Sequence, residues 1–240
     1  MAPTGSMKVL AGVLVAAAAT AAAAAPAAAR EPRMAPTQEL ATLLTSHKVV
    51  SSLPARPSRV TRVPAWRPIT GTQTVLPVLD HATTKGGVRW LRVLVPGRPN
   101  GRKGWIKQRG TEPATTSLHV VARTSSRRVR VYRRGRLVRS FAAVVGKPST
   151  PTPHGRFFVE ESVRMLPGSA GAPYALALSA RSNVLQEFEG GPGQIAVHGV
   201  ANLGGTPGTA ISHGCVRLAN QHIRWMAARV GPGVPVTIKP

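Results

Sequence analysis

The pattern of apolar and polar positions divides the chain into four stretches, of which the first is almost wholly apolar. Residues 9–29 are nearly all Val, Leu and Ala, Lys8 stands just ahead of them, and the stretch ends in small residues. A basic start, an apolar stretch and a small-residue end are typical of a secretory signal peptide. We therefore predict a cleaved signal peptide over residues 1–29. An uncleaved membrane anchor is the alternative, because the stretch is just long enough to span a bilayer.

The second stretch, residues 30–63, is rich in Pro, Arg, Ser and Thr. Such a composition buries little apolar surface, so it predicts a mobile, basic linker. Residues 38–44 alone have apolar positions at helix-like spacing.

The third stretch, residues 64–112, has short apolar runs separated by turns rich in Gly, Pro and Asn. This texture predicts a small all-β unit. The order Trp90-Leu91 followed by Gly104-Trp105-Ile106 resembles the bacterial relatives of the Src-homology-three barrel, which implies a β-barrel-like module. We expect Trp90 and Trp105 to pack in its core, since so small a barrel needs large side chains.

The fourth stretch, residues 117–239, continues the β texture and ends with one clear helix. Apolar residues alternate with Arg over residues 127–132, and Arg134-Gly135-Arg136 predicts a hairpin turn. Residues 220–230 carry apolar side chains at helical spacing and are stopped by Gly231-Pro232-Gly233. The predicted fold is mainly β: a small barrel-like module, then a mixed β domain with one helix near the C-terminus.

Composition restricts the partners. The chain of 240 residues has 32 Lys+Arg against 8 Asp+Glu, a formal net charge of +24, and one Cys. This charge favours a polyanion: nucleic acid, an anionic membrane face or an anionic cell-wall polymer. Export argues against nucleic acid and leaves membrane contact only through an uncleaved signal segment. One Cys excludes an intramolecular disulfide framework, and the few carboxylates exclude most carboxylate-rich metal sites.

The only thiol, Cys215, follows a glycine, and His198 follows the apolar run 194–197. An imidazole within reach of a thiol can take its proton, and the thiolate can then attack a carbonyl. Backbone N–H groups at residues 213–215 could bind the resulting oxyanion. The residues alone leave three readings open for Cys215: a nucleophile, an inert core cysteine, or a metal ligand with His198, His213 and His222.

A conventional triad orients its histidine with a carboxylate. The only Asp of the chain, Asp80, lies in the third stretch, and no Glu neighbours either histidine in sequence. We therefore expect a backbone carbonyl near Gly199 to hold the imidazole.

A longer motif decides between these readings. His198-Gly199 and a Gly-rich loop precede the run Ser212-His213-Gly214-Cys215-Val216-Arg217-Leu218-Ala219-Asn220. Together with Gly146-Lys147 and the segment 150–157, this run resembles the signature of the L,D-transpeptidase catalytic domain (the YkuD-like family) over residues 117–239.

The resemblance implies a cysteine acyltransferase that acts on peptidoglycan stem peptides and needs no cofactor or metal. Cys215 would be the nucleophile, His198 the general acid and base, and His213, Gly214 and Gly199 would shape the pocket. Four further residues would contact substrate: Ser212, Arg217, Asn220 and Tyr174. Arg217 could instead bridge to a structural carbonyl, and Tyr174 could instead pack in the core.

The leading hypothesis is an exported L,D-transpeptidase, held at the cell wall, periplasm or extracellular surface by stem peptides and anionic wall polymers. With water as acceptor, the same machinery would make an L,D-carboxypeptidase or an endopeptidase. A non-catalytic wall-binding protein and a zinc hydrolase are the rivals from other classes.

Overall fold

We describe the chain from a computed structural model that covers Met1 and residues 34–53, 61–188 and 190–240. Apart from Met1, the predicted signal peptide lies outside the described residues. Within those described ranges, no helix is long and apolar enough to cross a membrane.

The N-terminal part of the described chain is a sheet module. Its seven strands are β1 (Gln38–Leu43), β2 (His47–Val49), β3 (Thr61–Val63), β4 (Val75–Thr83), β5 (Arg89–Leu94), β6 (Lys103–Lys107) and β7 (Thr111–Thr116). Five of them form one antiparallel sheet in the order β6-β5-β4-β1-β7, and β2 pairs with β3. The module therefore runs from Gln38 to Thr116.

The prediction of a linker over residues 30–63 is wrong where the chain is described. Residues 38–44 do not form a helix: β1 lies inside the sheet, paired with β4 on one side and β7 on the other. The apolar positions 40, 41, 43 and 44 also fit helical spacing, but the buried Ala41 and Leu43 lie two positions apart, which is the period of a strand. Its two partner strands, far along the chain, decide the conformation.

The C-terminal part contains ten strands and one helix. They are β8 (Leu118–Arg123), β9 (Arg128–Arg133), β10 (Arg136–Ala142), β11 (Val145–Gly146), β12 (Gly155–Arg164), β13 (Tyr174–Arg181), β14 (Gln194–Gly199), β15 (Ala210–Ser212), β16 (Val216–Leu218), α1 (Asn220–Ala227) and β17 (Pro235–Lys239). Eight strands form a sheet in the order β10-β9-β8-β17-β12-β13-β14-β16, and β11 pairs with β15.

Several sequence predictions are confirmed here. The fold is mainly β, and α1 is the one helix of the described residues. Arg134 and Gly135 both have positive φ (50° and 76°), as the predicted tight hairpin between β9 and β10 requires. The helix ends at Ala227, three residues before the predicted end, although the N–H of Val230 still bonds to the carbonyl of Met226.

Strand β12 contributes to both hydrophobic cores. Its Phe157 belongs to the core of the C-terminal sheet, where Ile223 and Met226 of α1 also pack. The next residue, Phe158, belongs to the core of the N-terminal module with Leu43, Leu76 and Ile106. Adjacent strand residues point to opposite faces, so β12 lies between the two cores.

The same strand carries a buried ion network. Glu160, 1% exposed, accepts hydrogen bonds from Arg67 of the N-terminal module and from Arg181 of β13. Glu161, also buried, accepts from the N–H groups of Ile69 and Thr70 and from the Thr70 hydroxyl. The module is therefore joined to the C-terminal sheet by paired charges as well as by apolar contact.

Of the two tryptophans expected in the module core, Trp90 is buried. Trp105 is half-buried, and the Arg92 guanidinium lies 6.0 Å from its ring centroid.

Candidate active site

Cys215 lies at the start of β16, beside the parallel strand β14. The two strands align Val197 with Val216 and His198 with Arg217. The N–H of Ala196 donates to Cys215 Sγ across 3.4 Å. Because an N–H donor at the sulfur favours its charged form, this contact supports a reactive thiol.

His198 lies on the same face of β14 as Ala196. Along this strand Ile195 and Val197 point into the core, while Ala196 and His198 are partly buried on the other face. Successive positions on one face of a strand are about 7 Å apart, and a cysteine and a histidine side chain can together span that distance. The thiol therefore contacts the strand that carries the imidazole, two residues before His198.

The imidazole is oriented by a backbone carbonyl, as predicted from the scarcity of carboxylates. His198 Nδ1 donates to the carbonyl of Gly199 at 2.8 Å, since a carbonyl can only accept. This bond fixes the tautomer and leaves Nε2 as the nitrogen that can take a proton.

Burial lowers the pKa of His198 to about 4, with a further lowering by the charge of Arg217, against a smaller opposing effect of the Gly199 carbonyl. The resting imidazole is therefore neutral at physiological pH. A neutral imidazole is the form that can act as a base toward a thiol.

Gly171 packs directly against the imidazole of His198, and the amino-acid sequence around Gly171 gives no sign of this role. It has φ +86°, and a Cβ there would lie 2.6 Å from His198 Nδ1. Its carbonyl accepts the N–H of Gly199 at 2.8 Å. The segment that precedes β13 thus backs the histidine and requires glycine at this position.

A tight turn presents the thiol. The Ser212 hydroxyl donates to the carbonyl of Cys215 at 2.6 Å and accepts the N–H of Gly214 at 3.2 Å. Gly214 has φ +118°, a conformation that favours glycine, which confirms the expected bend before the cysteine. Ser212, which is fully buried, therefore forms the turn before Cys215, and its contact with substrate stays a prediction.

Two threonines of the segment 146–152 support this turn. The Thr150 hydroxyl donates to the carbonyl of Ser212 at 3.1 Å, and Thr152 accepts the N–H of Gly146 at 2.9 Å. Both threonines are buried. The sequence motif over 150–157 therefore has a structural role beneath the cysteine turn.

Two residues expected to contact substrate have structural partners instead. The Arg217 guanidinium, 9% exposed, donates to the carbonyl of Gly204 at 2.6 Å, the second of its two expected roles. Asn220 Oδ1 accepts the N–H of Val200 at 3.1 Å and lies against Gly199. Asn220 therefore holds the backbone whose carbonyl orients His198.

Tyr174 is found on the other face of the sheet. Its neighbour Ala175 is paired with His198, so Tyr174 points away from the imidazole and packs against the core that includes α1. There it borders a cavity of about 340 Å³ whose lining also includes Arg164, Pro173 and Arg224. The structure gives Tyr174 the packing role, and the expectation that it lines a pocket over the thiol is corrected.

His213 is exposed beside the thiol and stacks on Phe188, with ring centroids 5.6 Å apart and planes at 29°. His222 lies elsewhere, stacked on Phe141 at 4.5 Å. Across the described ranges, no group of three or more His, Cys, Asp and Glu side chains could hold a metal ion. The convergence of four ligands that a zinc site needs is not found there.

Comparisons with known proteins agree on one family. A family model described as the L,D-transpeptidase catalytic domain, YkuD, matches residues 117–238. The YkuD protein of Bacillus licheniformis, whose name places it among the L,D-transpeptidases, is 30% identical over 128 residues, 53% of this chain and 69% of its own. L,D-transpeptidase 1 of Mycobacterium tuberculosis H37Rv is 31% identical over 168 residues, 63% of this chain and 62% of its own.

Among solved structures, L,D-transpeptidase LdtMt1 in complex with imipenem has a TM-score of 0.45 and 20% identity, covering 73% of this chain and 99% of that one. An L,D-transpeptidase from Mycobacterium smegmatis has a TM-score of 0.39 and 17% identity, covering 67% and 99%.

Proposed function

Since residues 117–238 place the chain in the YkuD family of L,D-transpeptidase catalytic domains, we propose that it is an exported acyltransferase that cross-links peptidoglycan through a thioester on Cys215. Family membership makes the chain an L,D-transpeptidase enzyme. The covalent intermediate, the stem-peptide substrate and the export are the proposal.

One observation carries the chemistry. The Cys215 thiol contacts the N–H of Ala196, two residues before His198 on β14, and the Gly199 carbonyl holds Nδ1 so that Nε2 is the base. In the proposed reaction Nε2 takes the thiol proton and the sulfur attacks the carbonyl carbon of the L-centre of the third stem residue.

The bond between that carbonyl and the terminal D-Ala then breaks, and the imidazolium returns its proton to the leaving amine. The acyl group stays on sulfur as a thioester. A side-chain amine of a neighbouring stem attacks the thioester, gives its proton to Nε2 and releases the thiol. The product joins the third residues of two stems.

Two features of the sequence support export and retention at the wall. Residues 1–29 have the pattern of a signal peptide, and a net charge of +24 suits a wall rich in carboxylates and phosphates. We therefore propose an exported enzyme that acts at the cell wall.

The first test is substitution of the two reacting side chains. We expect Cys215→Ala to abolish turnover of a tetrapeptide stem, because no other thiol exists in the chain. His198→Ala should lower kcat by about 10²- to 10⁴-fold, the usual contribution of a general base. The exposed His154, in the same domain, is the matched control, and His154→Ala should retain activity.

A covalent probe tests the intermediate independently of turnover. The family resemblance implies that a carbapenem acylates the cysteine, so mass spectrometry of the intact protein should show one adduct, located on Cys215. An adduct that persists in Cys215→Ala would refute the nucleophile assignment.

Product analysis with a disaccharide-tetrapeptide tests the acceptor. Dimers joined through the third residues support cross-linking. Tripeptide without dimer would replace cross-linking by carboxypeptidase activity, and loss of all activity on addition of a chelator, with recovery on adding zinc, would overturn the cysteine mechanism.

A further inference from the structure

A loop of the N-terminal module reaches the loop beside the candidate active site. The β5–β6 loop (residues 95–102) belongs to the module, and the β13–β14 loop (residues 182–193, described except for residue 189) belongs to the C-terminal domain. Arg98 of the first loop donates to three carbonyls of the second: to Ser182 at 2.9 Å, Leu185 at 3.0 Å and Pro192 at 2.9 Å.

A second residue of the β5–β6 loop binds the base of the same loop. The Asn100 amide donates to the carbonyl of Arg181 at 2.7 Å, and its oxygen accepts the N–H of Arg181 at 2.8 Å. It also donates to the side chain of Asn183 at 3.0 Å. The module therefore contacts the end of β13 and both ends of the β13–β14 loop.

The far part of the β13–β14 loop extends to the cysteine turn. Phe188 and Gly191 exchange two backbone hydrogen bonds, of 2.9 and 3.0 Å, which form a tight tip. The ring of Phe188, 42% exposed, stacks on His213, which is two residues from Cys215. The loop tip thus contacts the residue two positions before Cys215.

The guanidinium of Arg98 suits the task of holding this loop. Its planar donors bind carbonyls contributed by three separate points of the loop, a geometry that the single ammonium of lysine cannot reproduce. The acceptors are main-chain groups, so the contact fixes the backbone path itself. Gly193 lies close by: a Cβ there would approach Arg98 Nη2 to 3.2 Å and collide with the carbonyl of Leu185.

We propose that Arg98 is a positioning residue for the stem-peptide site: from the N-terminal module, it holds the β13–β14 loop so that Phe188 and His213 form a wall that binds the substrate. The inference rests on the proposed function for the identity of the substrate. Arg98 touches neither Cys215 nor His198, so its effect falls on substrate binding and not on the reacting groups.

The first experiment measures the loop without using activity. Glutamyl endopeptidase cleaves after Glu187 and Glu189 in the β13–β14 loop, and after Glu39 in β1, a strand paired on both sides, only if the module unfolds. We expect Arg98→Ala to speed cleavage in the loop by about tenfold, because local opening sets the rate, while cleavage after Glu39 stays unchanged. Arg98→Lys should give an intermediate rate, and Arg89→Ala, at an exposed arginine of the same module, should match the wild type.

The second experiment separates binding from chemistry with the full chain and a tetrapeptide stem. Arg98→Ala should raise KM about five- to twentyfold and change kcat less than about twofold. Alkylation of Cys215 by iodoacetamide should proceed at the wild-type rate. Phe188→Ala, which leaves the Arg98 contacts intact, should reproduce the rise in KM without the faster cleavage.

Unchanged cleavage in Arg98→Ala would overturn the proposal, and so would faster cleavage at Glu39 in step with the loop, which would mark general destabilisation. A loss of kcat at constant KM would also overturn it. If the wild-type protein turned over no stem peptide, the proposed function would fail, whereas the cleavage rates would still decide whether Arg98 holds the loop.

Discussion

At the scale of single residues, the site is built to keep one imidazole neutral and fixed. The bond from Nδ1 to the Gly199 carbonyl sets the tautomer, and the pKa of about 4 keeps the proton off Nε2. A carboxylate partner would raise the pKa of this histidine, whereas a neutral carbonyl orients it with a smaller effect. In the proposed reaction, so weak a base favours a proton transfer from Cys215 that accompanies attack over an ion pair formed beforehand.

This arrangement predicts the acid limb of the pH–rate profile. Above pH 4 the imidazole of His198 is neutral and can accept the thiol proton, and below it the protonated ring cannot. We expect the rate of carbapenem acylation of Cys215 to stay nearly constant from pH 7 to about 5 and to fall toward pH 4. An acid limb with its midpoint near pH 6.5, the ordinary pKa of histidine, would show that burial does not lower the pKa of His198.

A control for this experiment is His119, whose pKa burial also lowers to about 4, with help from Arg156. Because the folded-state pKa of each histidine lies below its unfolded value, stability is lost as pH falls from 6.5 toward 4. The loss is at most about 3 kcal/mol per imidazole and smaller where solvent screens it. His119→Gln should lessen this acid destabilisation, measured by urea unfolding, and leave the acylation profile unchanged.

At the scale of elements, β12 determines how the site is supported. It carries Glu160 between Arg67 and Arg181, and its neighbour β13 leads into the loop that Arg98 holds. The ion network and the loop contacts therefore lie along one junction. Disruption of β12 should affect the stability of both parts of the described chain.

Substitution of Glu160 tests this junction. Glu160→Gln leaves Arg181 without its anion and leaves Arg67 with Glu161 alone, 3.6 Å away. Breaking a buried pair in this way costs roughly 3–5 kcal/mol of unfolding free energy. The exposed Glu39, paired with His81, is the matched control, and Glu39→Gln should cost less than about 1 kcal/mol. Urea denaturation measures both, and equal small losses would show that the network adds little.

Elements whose pattern is decided locally could be predicted from the sequence. The β9–β10 hairpin followed from alternation and a turn that suits positive φ, and α1 from its spacing and the Gly-Pro-Gly stop. β1 could not, since its spacing fits both periods and its strand partners lie 30 or more residues away along the chain. Its state depends on tertiary pairing, which no local pattern contains.

The same distinction applies to the site. The carbonyl partner of His198 could be predicted because the composition leaves few carboxylates. Gly171 and Arg98 could not: each acts through backbone groups, which every residue possesses, so no side-chain pattern marks the partners. The sequence allows two roles for Tyr174, because it does not state which face of a strand meets the core. It also allows two for Arg217, because a guanidinium can bind a substrate carboxylate or a backbone carbonyl equally well.

At the scale of the whole molecule, positive charges far outnumber negative ones. Two of the eight acidic residues, Glu160 and Glu161, are buried in the junction, so they contribute nothing to the surface. Arginines exposed at the β9–β10 turn, such as Arg133, Arg134 and Arg136, add to a basic surface. This imbalance favours adsorption to an anionic polymer through long-range attraction.

Salt should therefore weaken retention on isolated cell walls. Exposed charges are screened within about 10 Å at 0.1 M salt, so the bound fraction should fall steadily as salt rises from 0.05 to about 0.5 M. Replacing Arg133, Arg134 and Arg136 by Gln should lower the salt concentration at half-release. Binding that is indifferent to salt would show that a specific glycan or peptide contact, and not charge, holds the protein.

The placement of Phe157 and Phe158 in different cores bears on attempts to engineer the enzyme. A chimera that fuses the catalytic segment to a foreign N-terminal module would expose the benzyl group of Phe158 and the carboxylate of Glu160, which this module covers. Neither group can be relocated, since both belong to the strand at the middle of the larger sheet. The workable unit for transplantation or redesign therefore begins near Gln38, well upstream of the segment that the family shares.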